Sequence, residues 1–241
     1  MNFIENIKNR AKQEIKTIVL PEAEDIRTLK STQIALKEKY ANIVLIGNEE
    51  TIKQKAQENN VNIEGATIIN PQTSENYEKY VQLLYELRKN KGMTIEQAKE
   101  LVLNPVYFGM LMVKDEETTA DGLVSGAAHS TADTLRPALQ ILKTAPDTKL
   151  VSAFFVMVVP NCEYGANGTF IFGDAGLNEN PNPDQLSEIA ISSSKSFEQL
   201  VQKEPKVAML SYSSHGSAHS ELTEKVIEAT KLLKEKEPNL I

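Results

Sequence analysis

Short apolar runs alternate with longer amphipathic stretches along most of this 241-residue chain. The apolar runs are typical of buried β-strands and lie at residues 17–20, 41–46, 66–69, 122–125, 151–159 and 207–212. Between most of them the apolar residues recur every three or four positions, as in amphipathic helices, at residues 27–40, 51–59, 75–90, 94–103, 184–201 and 218–233. Strands that alternate with helices pair in parallel through right-handed crossovers, so the pattern predicts an α/β fold with open sheets covered by helices.

A boundary between two domains is expected near residues 144–149, where the sequence TAPDTK separates a helical pattern from the longest apolar run. This gives a first α/β domain at residues 1–146 and a second at residues 147–241, with a cleft between the two lobes. Residues 160–183 are rich in Gly, Asn and Pro, and are expected to form a hairpin-like insertion or a surface loop. Ligands of open α/β sheets bind at the carboxyl ends of the strands.

Composition excludes several classes of function. The net charge of -7 argues against sequence-independent binding of nucleic acid, which needs a basic surface. The single cysteine, Cys162, allows no disulfide within the chain, and the charged amino terminus has no apolar signal region, so we expect a cytoplasmic protein. The longest apolar run ends at Pro160 and is too short to span a membrane.

Several common site motifs are missing from the sequence. It contains no phosphate loop of the G-x-x-x-x-G-K-[ST] type, no G-x-G-x-x-G after a strand and no G-x-S-x-G nucleophile elbow. His215 and His219 are spaced as two zinc ligands on a helix would be, but the surrounding SSHGSAHS is a poor helix former. His129 is equally ambiguous, and for each histidine a solvated or internally hydrogen-bonded side chain is the better interpretation.

The segment ADGLVSGAAHSTADTLRPALQIL, residues 120–142, reads as a strand, a small-residue turn and the start of a helix. Unpaired N–H groups at such a helix start, together with the helix dipole, suit a phosphate. Ser125, Ser130 and Thr131 are candidate ligand residues in the turn, and Arg136 would add a bidentate donor one helical turn later. The alternative interpretation is that a serine caps the helix and that Arg136 is an ordinary surface arginine.

This segment closely resembles the signature of the phosphate acetyltransferase and phosphate butyryltransferase family, and of its acetyltransferase branch in particular. Further blocks resemble the family in the family's order, and together they cover essentially the whole chain. These blocks are VLPEAEDIRTLKS, YELRKNKGMTIEQA, NPVYFGMLMV, VPNCEYGANGTFIFGDAGLNENPNPDQLSEIAISS and LSYSSHGSAHS. The resemblance implies a fold similar to the isocitrate and isopropylmalate dehydrogenases, with two α/β domains, an active site in the cleft and usually a homodimer.

The resemblance also implies the chemistry. Acetyl phosphate and coenzyme A bind together, and the coenzyme A thiolate attacks the acetyl carbonyl directly, with coenzyme A as a substrate and with no metal or other cofactor. Arg88 and Arg136 match family arginines associated with binding coenzyme A and phosphate, and Thr131 matches the hydroxyl position of the signature. Ser125 and Ser130 are weaker candidates. Asp174, in FGDAG, either orients a ligand or holds a turn, and the turn is the better interpretation.

The departure from the family lies at the carboxyl end, where family members continue beyond KEKEPNLI. The resemblance places the family's catalytic serine, arginine and aspartate in that further segment, so no catalytic residue is assigned here and we expect little acetyl transfer by this chain as given. Three interpretations therefore stand. The chain is an acetyltransferase, a catalytically incomplete fragment that binds coenzyme A and phosphate, or a cleft enzyme related to the decarboxylating dehydrogenases, for which no nicotinamide site or carboxylate cluster is seen.

Overall fold

The structure is a computed structural model that describes residues 3–118, 120–146, 148–214 and 216–240. It divides into two compact units, one formed by Glu5–Lys143 and the other by Thr144–Ile241 together with Met1–Ile4. The domain boundary expected after residue 146 stays a prediction. The helices are α1 (Phe3–Gln13), α2 (Ile26–Glu38), α3 (Glu49–Glu58), α4 (Tyr77–Arg88), α5 (Ile95–Val102), α6 (Pro105–Lys114), α7 (Thr131–Ile141), α8 (Pro183–Val201) and α9 (Glu221–Lys236). The strands are β1 (Lys16–Leu20), β2 (Ala41–Ile46), β3 (Thr67–Ile69), β4 (Gly122–Leu123), β5 (Phe154–Val158) and β6 (Thr169–Gly173).

The unit Glu5–Lys143 is built on a parallel sheet with the strand order β3-β2-β1-β4. The chain passes from β1 outward to β2 and β3, and then returns to add β4 on the other side of β1. The strand order therefore reverses between β1 and β4. In open α/β sheets this switch point, at the carboxyl ends of the strands, is where ligands bind.

Helices cover both faces of this sheet because successive residues of its strands point to opposite sides. In β2, Val44 and Ile46 belong to the core that packs against α4, α5, α6 and α7, whereas Ile43 and Leu45 belong to the core formed with α2 and α3. The sheet is thus the middle layer of a three-layer unit, buried on both faces, which explains why its strands are short continuous apolar runs.

Helix starts in this unit follow from their capping residues. Asp25 and Asn48 accept backbone N–H bonds at the starts of α2 and α3, and Thr94 forms a capping box with Gln97 at the start of α5. Asn104 caps α6, whose first residue is Pro105.

The unit Thr144–Ile241 contains an antiparallel hairpin of β5 and β6 and a pair of packed helices, α8 and α9. Buried contacts within the unit include Ile189 of α8 and Leu233 of α9. The hairpin leaves a large part of its apolar surface exposed, since the cross-strand partners Phe155 and Phe172 are 60% and 57% exposed.

The α/β class and the parallel sheet predicted from the sequence are confirmed, and the hairpin-like reading of residues 160–183 is confirmed in that β6 pairs with β5. The strand predicted at residues 207–212 is wrong. Those residues form no strand in the described structure, and Leu210 is 83% exposed. An apolar run makes a strand only when a neighbouring strand pairs with it, and here the Val207 N–H donates to the Leu240 carbonyl instead. Among the described helices, none is both long enough and apolar enough to cross a membrane.

A glycine in α6 sets how closely that helix approaches the sheet. A Cβ atom on Gly109 would lie 2.6 Å from Leu123 Cδ1 and 2.9 Å from Val19 Cγ1, so the helix backbone rests on β4 and β1. We expect Gly109→Val to lower the free energy of unfolding by about 2 kcal/mol, because overpacking outweighs the small gain in helix propensity. Urea denaturation followed by circular dichroism measures the change. Gln57→Val, at an exposed position of α3, is the control, and equal stability of the two variants would contradict this close packing.

Candidate functional site

The carboxyl ends of β1 and β4 lie side by side at the switch point of the sheet. Ile18 and Val19 pair with Gly122 and Leu123, and the Val124 N–H extends the ladder by donating to the Val19 carbonyl at 3.0 Å. Both strands then leave the sheet at the same edge. The loop after β1 is thereby brought against the small-residue turn that leads into α7.

The turn after β4 wraps around the side-chain carboxylate of Glu22. The backbone N–H groups of Gly126 and Ala127 donate to Glu22 Oε2, both at 2.8 Å. Those of Ala128 and His129 donate to Glu22 Oε1 at 2.6 and 2.7 Å. The turn is therefore an anion-binding cradle, as the sequence predicts, but its anion is a side chain of the same chain.

These hydrogen bonds determine the ionisation state of the Glu22 carboxyl. Burial raises the pKa of its carboxyl, since the side chain is only 4% exposed, but the backbone N–H bonds outweigh burial and lower the pKa to about 2. Carboxylates that accept several backbone N–H bonds behave in this way. Glu22 is therefore ionised throughout the neutral range.

A second contact holds the turn from its carbonyl side. Asp25, the cap of α2, accepts two bonds from the Arg27 guanidinium, at 2.9 and 2.7 Å, and the same guanidinium donates to the Ala127 carbonyl. The hydrogen bonds from Arg27 lower the pKa of Asp25 to about 2. The loop after β1 and the start of α2 therefore hydrogen-bond to both the N–H and the C=O groups of the turn.

The predicted hydroxyl residues take up local positions around the start of α7. Ser130 caps the helix, accepting the Asp133 N–H at 3.2 Å and donating to Asp133 Oδ2 at 2.6 Å. Thr131 is the first helical residue and is exposed, and Ser125 accepts a bond from Thr134 at 3.4 Å. For Ser130 the capping interpretation is confirmed.

Unpaired N–H groups are expected at the helix start, and those of residues 126–129, in the turn just before it, are all bound to Glu22 and are not available to a ligand. The physical reason is that β1 runs parallel to β4, so an acidic residue just after β1 reaches the cradle. The part of the chain that the structure describes contains no acceptor for the N–H groups of Thr131 and Ala132, which remain the donors at the start of α7. Substrate roles for Ser125, Ser130 and Thr131 stay predictions.

The two predicted arginines lie on helices that pack against each other and against α6. Arg88 ends α4, Arg136 lies in the second turn of α7, and Tyr107 is in α6. Burial raises the pKa of the Tyr107 hydroxyl, and the positive charges of Arg136 and Arg88 both oppose that rise. Tyr107 donates to Gln140 Oε1 at 3.0 Å.

Neither arginine forms an ion pair with a carboxylate of the described residues. Arg88 Nε is buried and has no acceptor there, and Arg136 is exposed with no ion pair to a described carboxylate. Asp133, one turn before Arg136, is held by Ser130. Guanidinium groups without carboxylate partners are suited to binding an anion with several oxygens, such as a phosphate.

Two other predicted features fall outside this cluster. Asp174 accepts the Leu177 N–H at 2.7 Å and an Asn178 amide bond at 2.5 Å, so it holds a turn, as the sequence favours. For the spaced histidines, His215 lies outside the described residues, and His219 is exposed beside Glu224. Within the described residues no group of three or more His, Cys, Asp or Glu side chains is placed to hold a metal ion.

Two residues of the candidate site were not predicted from the sequence. Glu22 directly follows a strand that ends at the same sheet edge as the turn, and pairing β1 with β4 would have revealed it. Tyr107 lies in a helix buried on all sides, so no periodicity marked it.

The chain thus combines a parallel α/β sheet, a turn at its switch point that binds a carboxylate, and two arginines without ion pairs among the described residues. The family model described as phosphate acetyl/butaryl transferase matches residues 2–241. The chain belongs to this family.

Individual relatives agree with this assignment. The chain is 62% identical over 240 residues to a phosphate acetyltransferase of Acetivibrio thermocellus and 50% identical to one of Thermoanaerobacterium thermosaccharolyticum. These matches cover 100% of this chain and 71% and 72% of the relatives. Among solved structures, the EutD phosphotransacetylase from Staphylococcus aureus matches with a TM-score of 0.86 and 41% identity, and a phosphotransacetylase from Streptococcus pyogenes with 0.88 and 32%. Each match covers 99% of this chain and 70% of the solved one.

The Glu22 cradle predicts an acid-sensitive contribution to stability. The folded pKa of about 2 lies below the ordinary value of 4.5, so the carboxylate stabilises the fold fully above about pH 4.5, and this contribution is lost as the pH falls towards 2. We expect Glu22→Gln to lower the free energy of unfolding by roughly 3 kcal/mol at neutral pH, and the difference from the parent to shrink between these two pH values.

Urea titrations at a series of pH values measure this difference. Glu24→Gln is the matched control, because Glu24 is exposed and pairs only with Lys55 of α3. A pH-independent difference for Glu22→Gln would show that the lost stability comes from packing and not from the charge.

Proposed function

We propose that this chain is a phosphate acetyltransferase, which moves an acetyl group reversibly between acetyl phosphate and coenzyme A. Membership of the family over residues 2–241 supports this reaction. The observation in the structure that carries it is that Arg88, at the end of α4, and Arg136, in α7, form no ion pair with a described carboxylate. Both substrates carry phosphate groups, and these arginines are the described groups best suited to bind them.

In the proposed reaction the two arginines bind phosphate oxygens, and the Thr131 hydroxyl and the N–H groups at the start of α7 donate to the same anion. The coenzyme A thiolate attacks the acetyl carbonyl carbon, a carbon–sulfur bond forms, and the bond from that carbon to the phosphate oxygen breaks. Positive charge near the departing phosphate stabilises the charge that develops on it in the transition state.

Other features are also part of the proposal. We infer that the protein is cytoplasmic, that it forms a homodimer, and that its lobes resemble those of the isocitrate and isopropylmalate dehydrogenases. Coenzyme A acts as a substrate, and the proposed direct attack uses neither a metal nor a redox cofactor.

The central experiment follows acetyl-coenzyme A formation from acetyl phosphate, using protein purified from a host that lacks its own acetyltransferase. The assay is run on the 241-residue chain and on the chain continued with the remaining part of the Acetivibrio thermocellus relative, of which the present chain covers 71%. We expect coenzyme A to bind to both, and transfer to be faster by orders of magnitude in the continued chain, which holds more of the positioned groups. Binding of coenzyme A without acetyl transfer by the continued chain would favour a binding protein over an enzyme.

Replacing the arginines tests the anion site. We expect Arg136→Ala and Arg88→Ala each to weaken coenzyme A binding by about 10- to 100-fold, the value of one strong charge-assisted contact. Isothermal titration calorimetry measures the affinity, and Arg10→Ala, in α1, is the control for loss of an arginine. Affinities of both site variants within twofold of the parent would support the surface-arginine interpretation.

The proposed mechanism also predicts independence from metal ions. A chelator should leave coenzyme A binding unchanged, and so should the double replacement His215→Ala with His219→Ala. Calorimetry with and without the chelator, alongside metal analysis of the purified protein, checks this. Stoichiometric zinc whose removal abolishes binding would contradict it.

A further inference from the structure

One buried side chain holds the turn that leads into α7. Glu22 accepts the N–H groups of residues 126–129, two on each carboxylate oxygen, at 2.6–2.8 Å. The Glu22 side chain is 4% exposed, so little water competes for these bonds. Hydrogen bonds to an ionised group are about twice as strong as neutral ones, and four of them on consecutive residues leave the turn little freedom. The path of the backbone through residues 126–129 is therefore set by Glu22.

The first half of α7 depends on this turn for its position. The buried residues of the helix, Pro137 and Ile141, lie in its second half, whereas residues 131–136 are half-buried or exposed. Pro137 has no N–H group, so the helical hydrogen bond to the Asp133 carbonyl is missing between the two halves. The first half is therefore held less by the buried part of its own helix than by the turn before it.

The candidate ligand residues of α7 lie in this first half. Ser130 directly follows the turn and caps the helix, accepting the Asp133 N–H at 3.2 Å. Thr131 is the first helical residue, and Arg136 lies in the second turn of the helix. Because peptide units are planar and helical geometry fixes each residue relative to the one before it, a displacement of the turn moves these side chains with it.

We propose that Glu22 is a positioning residue of the ligand site, whose carboxylate orders the start of α7 and thereby sets where Thr131 and Arg136 meet the phosphate groups of coenzyme A. This inference rests on the proposed function, which assigns phosphate binding to those two residues. Glu22 does not itself contact the ligand. Its two oxygens are taken up by the turn, so it acts on binding only through the backbone of residues 126–129.

Replacing Glu22 by its amide tests this role with little change in size. Glu22→Gln puts an NH2 group, which cannot accept a hydrogen bond, where one carboxylate oxygen now receives two N–H groups. We expect the affinity for coenzyme A, measured by isothermal titration calorimetry, to fall by about 10-fold, the lower end of the value of one strong charge-assisted contact. Glu24→Gln, at the exposed neighbouring glutamate, should stay within about twofold of the parent.

A control for lost stability separates positioning from general weakening of the fold. Ile52 is fully buried in α3, on the face of the sheet away from α7, so Ile52→Ala destabilises the same unit without touching the turn. We expect its affinity for coenzyme A to stay within about twofold of the parent. A loss as large as that of Glu22→Gln would overturn the positioning role.

Paired replacements show whether Glu22 acts through α7. In the Arg136→Ala background, Glu22→Gln should weaken coenzyme A binding by about threefold or less, because the group it positions is already gone. In the Arg88→Ala background it should still cost about 10-fold, because Arg88 ends α4 and does not follow the turn. Equal losses in the two backgrounds would overturn the proposal and leave the proposed function standing.

Amide hydrogen exchange in the parent protein needs no substitution and decides the matter even if Glu22→Gln does not fold. The N–H groups of residues 126–129 should be protected before any ligand is added, because they are bound to a buried carboxylate. Protection that develops only when coenzyme A binds would overturn the proposal, since the ligand and not Glu22 would then order the turn. Absence of coenzyme A binding by the parent would instead remove the proposed function and this inference with it.

Discussion

The hydrogen bonds of one carboxylate determine the geometry of the candidate site. Glu22 satisfies four consecutive backbone N–H groups and one imidazole nitrogen, all on the turn between β4 and α7. Without that anion, four donors in a half-buried turn would lack partners, at a cost of about 1–3 kcal/mol for each one not reached by water. Because α7 begins immediately after the turn, the direction of the helix and the position of Arg136 depend on the same contact.

The charges distinguish two features that both suit an anion when judged from the sequence, namely the turn before α7 and the two arginines. The cradle and the arginine pair are both suited to anions, but the cradle is neutralised internally by Glu22, whereas Arg88 and Arg136 have no carboxylate partner among the described residues. In a protein of net charge -7, an anionic ligand is repelled at long range and must gain its affinity locally. In the proposed function, Arg88 and Arg136 supply that local attraction.

The sequence predicted those parts of the structure that depend on local pattern. The strands β1 and β2 are short apolar runs, and α7 begins at a capping serine, so pattern and capping chemistry were sufficient. The helix α6 is buried on almost every side, so its apolar residues show no helical periodicity and the sequence pattern did not predict it. The partner of the cradle, Glu22, lies 104 residues before Gly126, and only the parallel pairing of β1 with β4 brings the two together.

The filled cradle also has a consequence for the kinetics of binding. A turn that closes around a carboxylate of the same chain is ordered before any ligand binds. Association then does not include the entropic cost of ordering a loop, roughly 1–2 kcal/mol for each backbone residue fixed. If the proposed ligand binds at Arg136, association resembles docking onto a rigid surface, and its rate depends on diffusion and on the ionic strength of the solution. The turn becomes ordered when the chain folds, so the affinity of a ligand is not reduced by the cost of ordering it.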